Sequence, residues 1–558
     1  MGVDPSDAAA DQPDAAADQP DAAETGTAPV AASAPQDPQA SAPQKPQKPQ
    51  KPQKPQDPAS QDPATGSKLD EIIATRRAKV AELRAAQIEP YPVRFAPTAT
   101  IAGIRAGYPD LAPQTDTGED CTVAGRIVSI RRLGKLTFVV LREDGVDLQL
   151  FCPRAALDDP SRALLGLLDV GDWLGAEGEV VATKTGELSV KPTTLTLLSK
   201  GLRPLPDKWH GLSDTEARFR QRELDLVVNA DARRVFELRA KVLAALRAEM
   251  EDRGFVEVET PMLHPIPGGA AARPFVTHHN ALDADLYLRI APELYLKRLI
   301  AGGMPRVYEI NRSFRNEGMS TRHNPEFTML ESYEAYADYH DVMALTESLF
   351  ARAARASLGT TELTYQGREV SLAAPFRRVT LLELVQQATG RPDLDYRMDL
   401  ADLRGICDAH EVHWEDAWGS GKLILELYEA LVEHTLWEPT FVLDYPVEVS
   451  PLARRHRSEP DVTERFELIL VGREHANAFS ELIDPDDQRT RFEAQARAKA
   501  AGDEEAMVVD EAYLRAMELG LPPTGGLGVG VDRLVMLLAD VANIRDVILF
   551  PTLRPQQD

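Results

Sequence analysis

Residues 314–331 read FRNEGMSTRHNPEFTMLE. The stretch sets Arg315, Glu317, Arg322, His323, Glu326 and Glu331 close together, with little aliphatic sequence to cover them. RVYEINRS before it and SYEAYADYH after it read as strands, so the whole is strand, charged loop, strand. Arg315 precedes the loop, and Phe327 returns the chain to apolar sequence. An arginine offers a rigid fork of donors to a carboxylate or phosphate, and a phenyl ring offers a face to a flat base. A polyanionic, aromatic ligand such as ATP would use that set. A surface hairpin laced with ion pairs is the competing reading of the stretch alone.

Upstream, residues 231–253 carry Val235, Leu238, Val242, Leu246 and Met250 on one helical stripe, and Gly254 stops the helix. FVEVETP then alternates like a strand closed by Pro261. From there strands and helices mix without a βαβ rhythm, which predicts α+β with a central antiparallel sheet flanked by helices rather than a doubly wound fold. Residues 122–200 hold five short strands, TVAGRIVSIRR, LTFVVLRE, VDLQLFCP, DWLGAEGEVVATKT and LSVKPTTLTLLSK. They suit a Greek-key barrel of the oligonucleotide-binding type, or another small barrel.

LDEIIATRRAKVAELRAAQ (69–87) has helical spacing and a basic cluster, Arg76, Arg77 and Lys79, which is either a solvated face or an RNA-facing one. Residues 1–66 differ from all that follows. DAAADQP occurs twice in 7–20 and QKPQKPQKPQKPQ fills 44–56, a mixture without the apolar residues that offset chain entropy. The expected organisation is a disordered tail (1–66), a helical lead-in (67–120), a barrel (121–201), a linker (202–220) and the α+β domain (221–558).

Cys121, Cys152 and Cys407 lie far apart and form no CxxC pair, against a disulfide scaffold or thiolate zinc site and in favour of a reducing compartment. No apolar run approaches the roughly 18–20 residues of a membrane span. The acidic start MGVDPSDAAADQPD has neither the basic region nor the apolar core of a signal peptide. A cytoplasmic protein is expected. The net charge of −26 argues mildly against a nucleic-acid partner, because phosphate contacts need Lys and Arg, but a local patch would suffice.

FRNEG…RHNPEFTMLE closely resembles motif 2 of the class II aminoacyl-tRNA synthetases, most of all the lysyl-tRNA synthetase version in class IIb; the motif spans about 306–336. RGFVEVETPML, with Pro261, resembles motif 1, the dimer-forming helix and strand (about 231–261). GGLGVGVDRLVMLL (525–538) resembles motif 3, with Arg533 opening a helix. The three come in the expected order, and the resemblance covers 67–558. Gly526, Gly528 and Gly530 have the wrong spacing for the dinucleotide fingerprint GxGxxG. They suit close passage of the backbone past a nucleotide.

The resemblance implies an OB-fold barrel, a class II catalytic domain, and a lysine–tRNA ligase acting as a homodimer with ATP, Mg2+, L-lysine and tRNA(Lys). It implies that Arg315 bridges the lysine carboxylate and the α-phosphate. Glu317 and Phe327 would hold adenine, and His323 and Arg533 the outer phosphates. Gly269 and Glu293 would meet the α-ammonium, Glu331 and Tyr333 the tail of the pocket, and Asn477 the carboxylate. Phe479 would pack on the stem and Glu481 would face the ε-ammonium. Glu467 and Glu474 would bind magnesium, Glu474 beside ATP. Arg131, Phe138, Gln149 and Glu187 would read the anticodon, unless Phe138 is barrel core. Pro261 would lie at the dimer interface.

Strand alternation sets Asn477, Phe479 and Glu481 on one face, and Glu331 with Tyr333 on another. Inward acids demand a cationic ligand or an internal Arg or Lys. Parity puts Glu474 out of phase with Asn477, so a shared role requires a bulge or turn near Gly472. Ala476 and Ala478 stand where the bacterial pattern commonly has glycine, and are expected to narrow the pocket slightly. Three rivals remain. A ligase acting on a protein would lack the barrel, and a lysyl-lipid enzyme would need a multi-span domain. A non-catalytic RNA-binding paralogue would be expected to lose Arg315, Arg533, Glu467 or Glu474, all of which are present.

Overall fold

A computed structural model describes residues 63–206, 212, 214–503 and 505–556. The expected tail, as far as residue 62, and linker residues 207–211 and 213 lie outside the described residues.

Strands β1 (Asp116–Leu133), β2 (Leu136–Glu143), β3 (Val146–Pro153), β4 (Trp173–Ala182) and β5 (Leu188–Ser199) close into a barrel in the order β1-β2-β3-β5-β4. Period-two alternation turns Val123, Ile127, Val139, Leu141, Leu148, Leu150 and Val190 inward, where they are fully covered. β1 begins before residue 121, because Asp116 finds a ladder partner in Val181. A nine-residue helix, Asp159–Leu167, sits between β3 and β4 with Asp158 as its cap, an element the strand pattern did not reveal.

The basic cluster of the Pro63–Ala85 helix is neither a solvated nor an RNA-facing stripe. Arg76 is buried and donates to the carbonyls of Gly201 (2.7 Å), Val170 and Arg203, while Lys79 pairs with Asp169 at 2.6 Å. Two of the three bases therefore fasten the helix to the barrel's end, and Arg77 alone of the cluster is exposed.

The remaining strands are β6 (Val256–Glu257), β7 (Leu263–His264), β8 (Val276–His279), β9 (Ala284–Leu288), β10 (Arg306–Phe314), β11 (Glu326–Ala335), β12 (Glu362–Tyr365), β13 (Arg368–Ser371), β14 (Arg377–Thr380), β15 (Thr440–Leu443), β16 (Arg465–Leu470), β17 (Arg473–Ser480) and β18 (Thr524–Gly530). Eight of them form one sheet in the order β14-β15-β16-β17-β18-β11-β10-β6, antiparallel except for the β14–β15 and β10–β6 pairs at its edges. The α+β expectation is met. The helices Ala230–Asp252 and Tyr339–Leu358 cover one face. The predicted stripe Val235, Leu238, Val242, Leu246 and Met250 meets Leu330, Ala476, Ala478, Leu527 and Val529 of the sheet there. Gly254, at φ 78°, ends the first helix in a conformation that a side chain would strain.

Two local readings change. FVEVETP contributes only Val256–Glu257, paired with Val307 and Tyr308 of β10. Beyond it Thr260 turns inward, and its hydroxyl donates to Glu309 at 2.7 Å. SYEAYADYH is not all strand: β11 stops at Ala335, and Asp338 and Asp341 form a capping box that starts the next helix. Among the described residues no helix is long and apolar enough to cross a membrane.

Candidate active site

On the sheet face opposite the two long helices lies a cavity of ≈ 320 Å³. Its floor follows from strand parity. Leu527 and Val529 of β18 point into the core, so Gly526, Gly528 and Gly530 present bare backbone to the cavity. A methyl on Gly526 would strike the Glu481 carboxylate and lie 2.6 Å from the Tyr333 ring. Ala476 and Ala478 likewise point into the core and do not line the cavity, so they do not narrow it. Alternation sends Asn477 and Phe479, their neighbours on β17, to the cavity instead.

One end of the cavity is basic. Arg315, Arg322, His323 and Arg533 line it together with Glu317, Phe327 and Glu474. The loop is held by its own backbone, with Arg315 N–H donating to Pro325 O at 2.9 Å. The Arg315 guanidinium carbon lies 5.1 Å from the Phe327 ring centroid, and its Nε is buried with no hydrogen-bond partner among the described residues. Arg533 donates to the Glu474 backbone carbonyl at 2.5 Å and to its carboxylate at 3.0 Å, and approaches His323 Nε2 at 3.5 Å. Burial together with Arg533 depresses the His323 pKa, which favours the neutral ring.

Glu474 reaches the cavity through a β-bulge. Leu468 pairs with Ala476 but Ile469 pairs with Glu474, which leaves His475 as the extra residue. The bulge lies three residues after Gly472 and supplies the phase change that parity required. His475 turns inward against Phe350, and burial lowers its pKa to about 4.

The opposite end is acidic and closed. Gly269, Glu293, Glu331, Tyr333, Asn477 and Phe479 line it. Glu331 is 4% exposed and accepts from the Tyr333 hydroxyl at 3.3 Å; burial, then the nearby Glu293, pushes its pKa up to about 8. Two expected residues do not reach the cavity. Glu481 lies behind its wall, paired with Lys297; apart from that ion pair neither carboxylate oxygen has a hydrogen-bond partner among the described residues. Glu467 is also set back and pairs with Arg465 at 2.6 Å.

Three residues that the sequence reading passed over organise this site. Arg465 donates to Asn477 Oδ1 at 3.1 Å while pairing with Glu467. Asp532, buried, accepts from Thr328 N–H at 2.7 Å and pairs with Arg239, fixing motif 3 to β11. Lys297 follows Glu293 by one helical turn and pairs with it at 2.5 Å. The i, i+4 spacing of Glu293 and Lys297 and the alternation of Arg465 with Glu467 were visible signals for two of the three.

Among the described residues no group of three or more acids, histidines or cysteines could hold a metal ion. Glu467 and Glu474 instead form a two-carboxylate set. Burial, and then repulsion from Glu474, pushes Glu467 up to about 7 despite Arg465. Such a pair fits a hard cation completed by phosphate oxygens from a ligand.

In the barrel, Arg131, Phe138, Gln149 and Glu187 line one shallow pocket. Thr137, Val139 and Leu141 fill the interior, so Phe138 stands on the outer face and is not core. Arg131 lies 5.3 Å from the Phe138 centroid and donates to Gln149 at 3.2 Å, and Gln149 donates to Ser189 at 3.0 Å.

Residues 214–554 match the family described as tRNA synthetases class II (D, K and N), and residues 121–198 match the OB-fold nucleic acid binding domain. The chain is 52% identical to the lysine–tRNA ligase of Xanthomonas oryzae pv. oryzae over 503 residues, covering 89% of this chain and 99% of that protein. It is 50% identical over 491 residues to the lysine–tRNA ligase of Carboxydothermus hydrogenoformans, covering 88% and 99%. The Azoarcus enzyme of the same name is 51% identical over 503 residues, covering 89% and 100%.

Proposed function

We propose, for a chain that belongs to the class II tRNA synthetases of the D, K and N group, that it joins L-lysine to tRNA(Lys) at the expense of ATP. The observation that carries the reading is the polarity of one cavity, with Glu293 and Glu331 at its closed end and Arg315, His323 and Arg533 at the other. L-lysine has two ammonium groups for the acids and a carboxylate for the arginine. ATP has phosphates for the basic end and a base for Phe327.

The lysine carboxylate attacks the α-phosphorus of ATP, the bond to the β-phosphate breaks, and pyrophosphate leaves. Arg315, which lines the cavity, bridges the two anions and stabilises charge on the α-phosphate oxygens as the bond forms. His323 and Arg533 hold the outer phosphates, and Glu317 and Phe327 the adenine. Asn477, held by Arg465, orients the carboxylate. The Gly269 backbone and Glu293 receive the α-ammonium; Glu331 and Tyr333 line the tail, Phe479 packs on the stem, and Glu481 acts on the ε-ammonium from behind the wall. A ribose hydroxyl of the tRNA then attacks the adenylate carbonyl and AMP leaves. No enzyme nucleophile is needed, so positioning and electrostatics carry the rate. Glu467 and Glu474 would hold Mg2+, which supplies charge neutralisation on the phosphates.

Arg131, Phe138, Gln149 and Glu187 take the anticodon, with Phe138 stacking on a base and Gln149 reading an edge. Val256, Met262, Leu263 and Val276 are exposed apolar side chains around Pro261, which supports a homodimer through motif 1. The three cysteines are free and buried, which supports action in a reducing cytoplasm. Charging of tRNA(Lys) with radiolabelled lysine tests the proposal. Lysine-specific label on that tRNA, and none on tRNA(Asp) or tRNA(Asn), is the expected result; absence of charging with competent tRNA would overturn it.

A further inference from the structure

Lys297 is fully buried at the closed end of the amino-acid pocket, and the reaction above gives it no task. It pairs with Glu293 at 2.5 Å and also with Glu481. Its Nζ lies 5.3 Å from the Phe479 ring centroid and 5.8 Å from that of Tyr333, the two rings that wall the pocket. The side chain therefore ties the start of the Glu293–Ala301 helix to the end of β17 directly behind the substrate position.

The charges at this end can be counted. Glu293, Glu331 and Glu481 are all buried, and Lys297 is the internal cation touching two of them. With all three acids ionised, as lysine binding requires, three carboxylates and one ammonium leave two negative charges, the number that the two ammonium groups of lysine bring. We propose that Lys297 is a positioning and specificity-determining residue. It is a fixed internal cation that orients Glu293 and Glu481, neutralises one of the three acids, and leaves a pocket matched to a doubly ammonium-bearing amino acid. The inference rests on the lysine reading of the site.

The electrostatics agree with this geometry. Burial works against the charge of Lys297, but Glu293 and Glu481 together outweigh it and raise its pKa, so it stays ionised. Burial pushes Glu293 and Glu481 up, and Lys297 opposes that rise in both. The other titratable or charged groups facing the cluster are Glu331 and Tyr333 of β11, Tyr513 of the Glu511–Glu518 helix, Arg465 of β16, and Arg289 and Arg315, which act on Glu331. None of these makes an ion pair with Glu481.

The test uses Lys297→Met, Glu481→Gln and the double variant, with lysine-dependent ATP–pyrophosphate exchange as the readout. Wild-type exchange with lysine is the control for the lysine reading itself, so its failure is distinguishable from failure of this inference. In Lys297→Met, Glu293 and Glu481 lose their counter-ion and their anchor. The lysine KM is expected to rise at least about tenfold, with the ATP KM within about twofold. The acid limb of kcat/KM for lysine should move up by about one pH unit or more.

On the Glu481→Gln background the sign reverses. There Lys297 is a surplus cation, so adding Lys297→Met lowers the lysine KM by about threefold or more. If Lys297→Met does not fold, the comparison of Glu481→Gln with the double variant decides alone. A lysine KM unchanged in Lys297→Met overturns the proposal, as does a parallel rise of both KM values. A double variant that binds lysine more weakly than Glu481→Gln also overturns it.

Discussion

Arg315 and Phe327 face each other across the mouth of the β10–β11 loop, the guanidinium carbon 5.1 Å from the ring centroid. The ring packs against the guanidinium of an arginine that lines the cavity, and its buried Nε has no hydrogen-bond partner among the described residues. Arg315→Ala should lower kcat for lysine-dependent exchange about 10²-fold or more, the loss usual for removing one transition-state donor. Arg315→Lys should rescue little, because an ammonium cannot bridge two anions as a planar fork does. Stopped-flow adenylate formation checks both. An Arg315→Ala rate within a few-fold of wild type contradicts the role.

Glu331 predicts opposite pH responses for stability and for binding. Its folded pKa, about 8 by burial, lies above the ordinary carboxylate value. The stability linked to it is fully present below the ordinary value and is lost as pH rises through about 8. Lysine binding needs the ionised form, so affinity should rise between about pH 6 and 8 with net proton release. Glu331→Gln should raise the ligand-free melting point at pH 8 by roughly a few degrees and abolish the lysine response. Melting curves and calorimetry in two buffers of different ionisation heat test this; no proton release counts against it.

Glu467 and Glu474 repel each other in a site with one arginine for each. Chelation of divalent ions should abolish exchange, and readdition of Mg2+ restore it. Glu474→Gln should raise the Mg2+ needed for half-maximal rate roughly tenfold or more, on the scale of altered ligand shells. Titration of rate against free Mg2+ reads it, and an unchanged midpoint removes Glu474 from the metal set.

The barrel should act only in the second half-reaction. Phe138 is on the outer surface beside Arg131, so Phe138→Ala should leave lysine-dependent exchange unchanged. It should raise the KM for tRNA(Lys) by about five- to 150-fold, since stacking of one base contributes about 1–3 kcal/mol. Equal loss in exchange and charging would point to a structural role instead.

Local periodicity made much of this architecture readable before the structure. The stripe from Val235 to Met250, the five barrel strands and the strand–loop–strand around Arg315 are all short-range patterns. The period-two glycines of β18 were equally visible, and their bare face becomes the cavity floor. What local sequence left open or misread depended on distant partners, although the need for a bulge near Gly472 was itself legible. The bulge at His475 needs the register of β16, the stop at Glu257 needs β10, and the inward turn of Ala476 and Ala478 needs the helices above them. Lys297 was legible as a neighbour of Glu293. Its contact with Glu481 joins a helix to a strand far along the chain, which no local pattern reports.

The central claim is that this pocket activates lysine and nothing else. ATP–pyrophosphate exchange across all twenty amino acids, with and without Mg2+, tests it most directly. The account predicts Mg2+-dependent exchange with lysine at least about 10³-fold above any other amino acid, as expected where buried polar groups are left unpaired by the wrong substrate. Exchange with aspartate or asparagine, or with no amino acid at all, would contradict it.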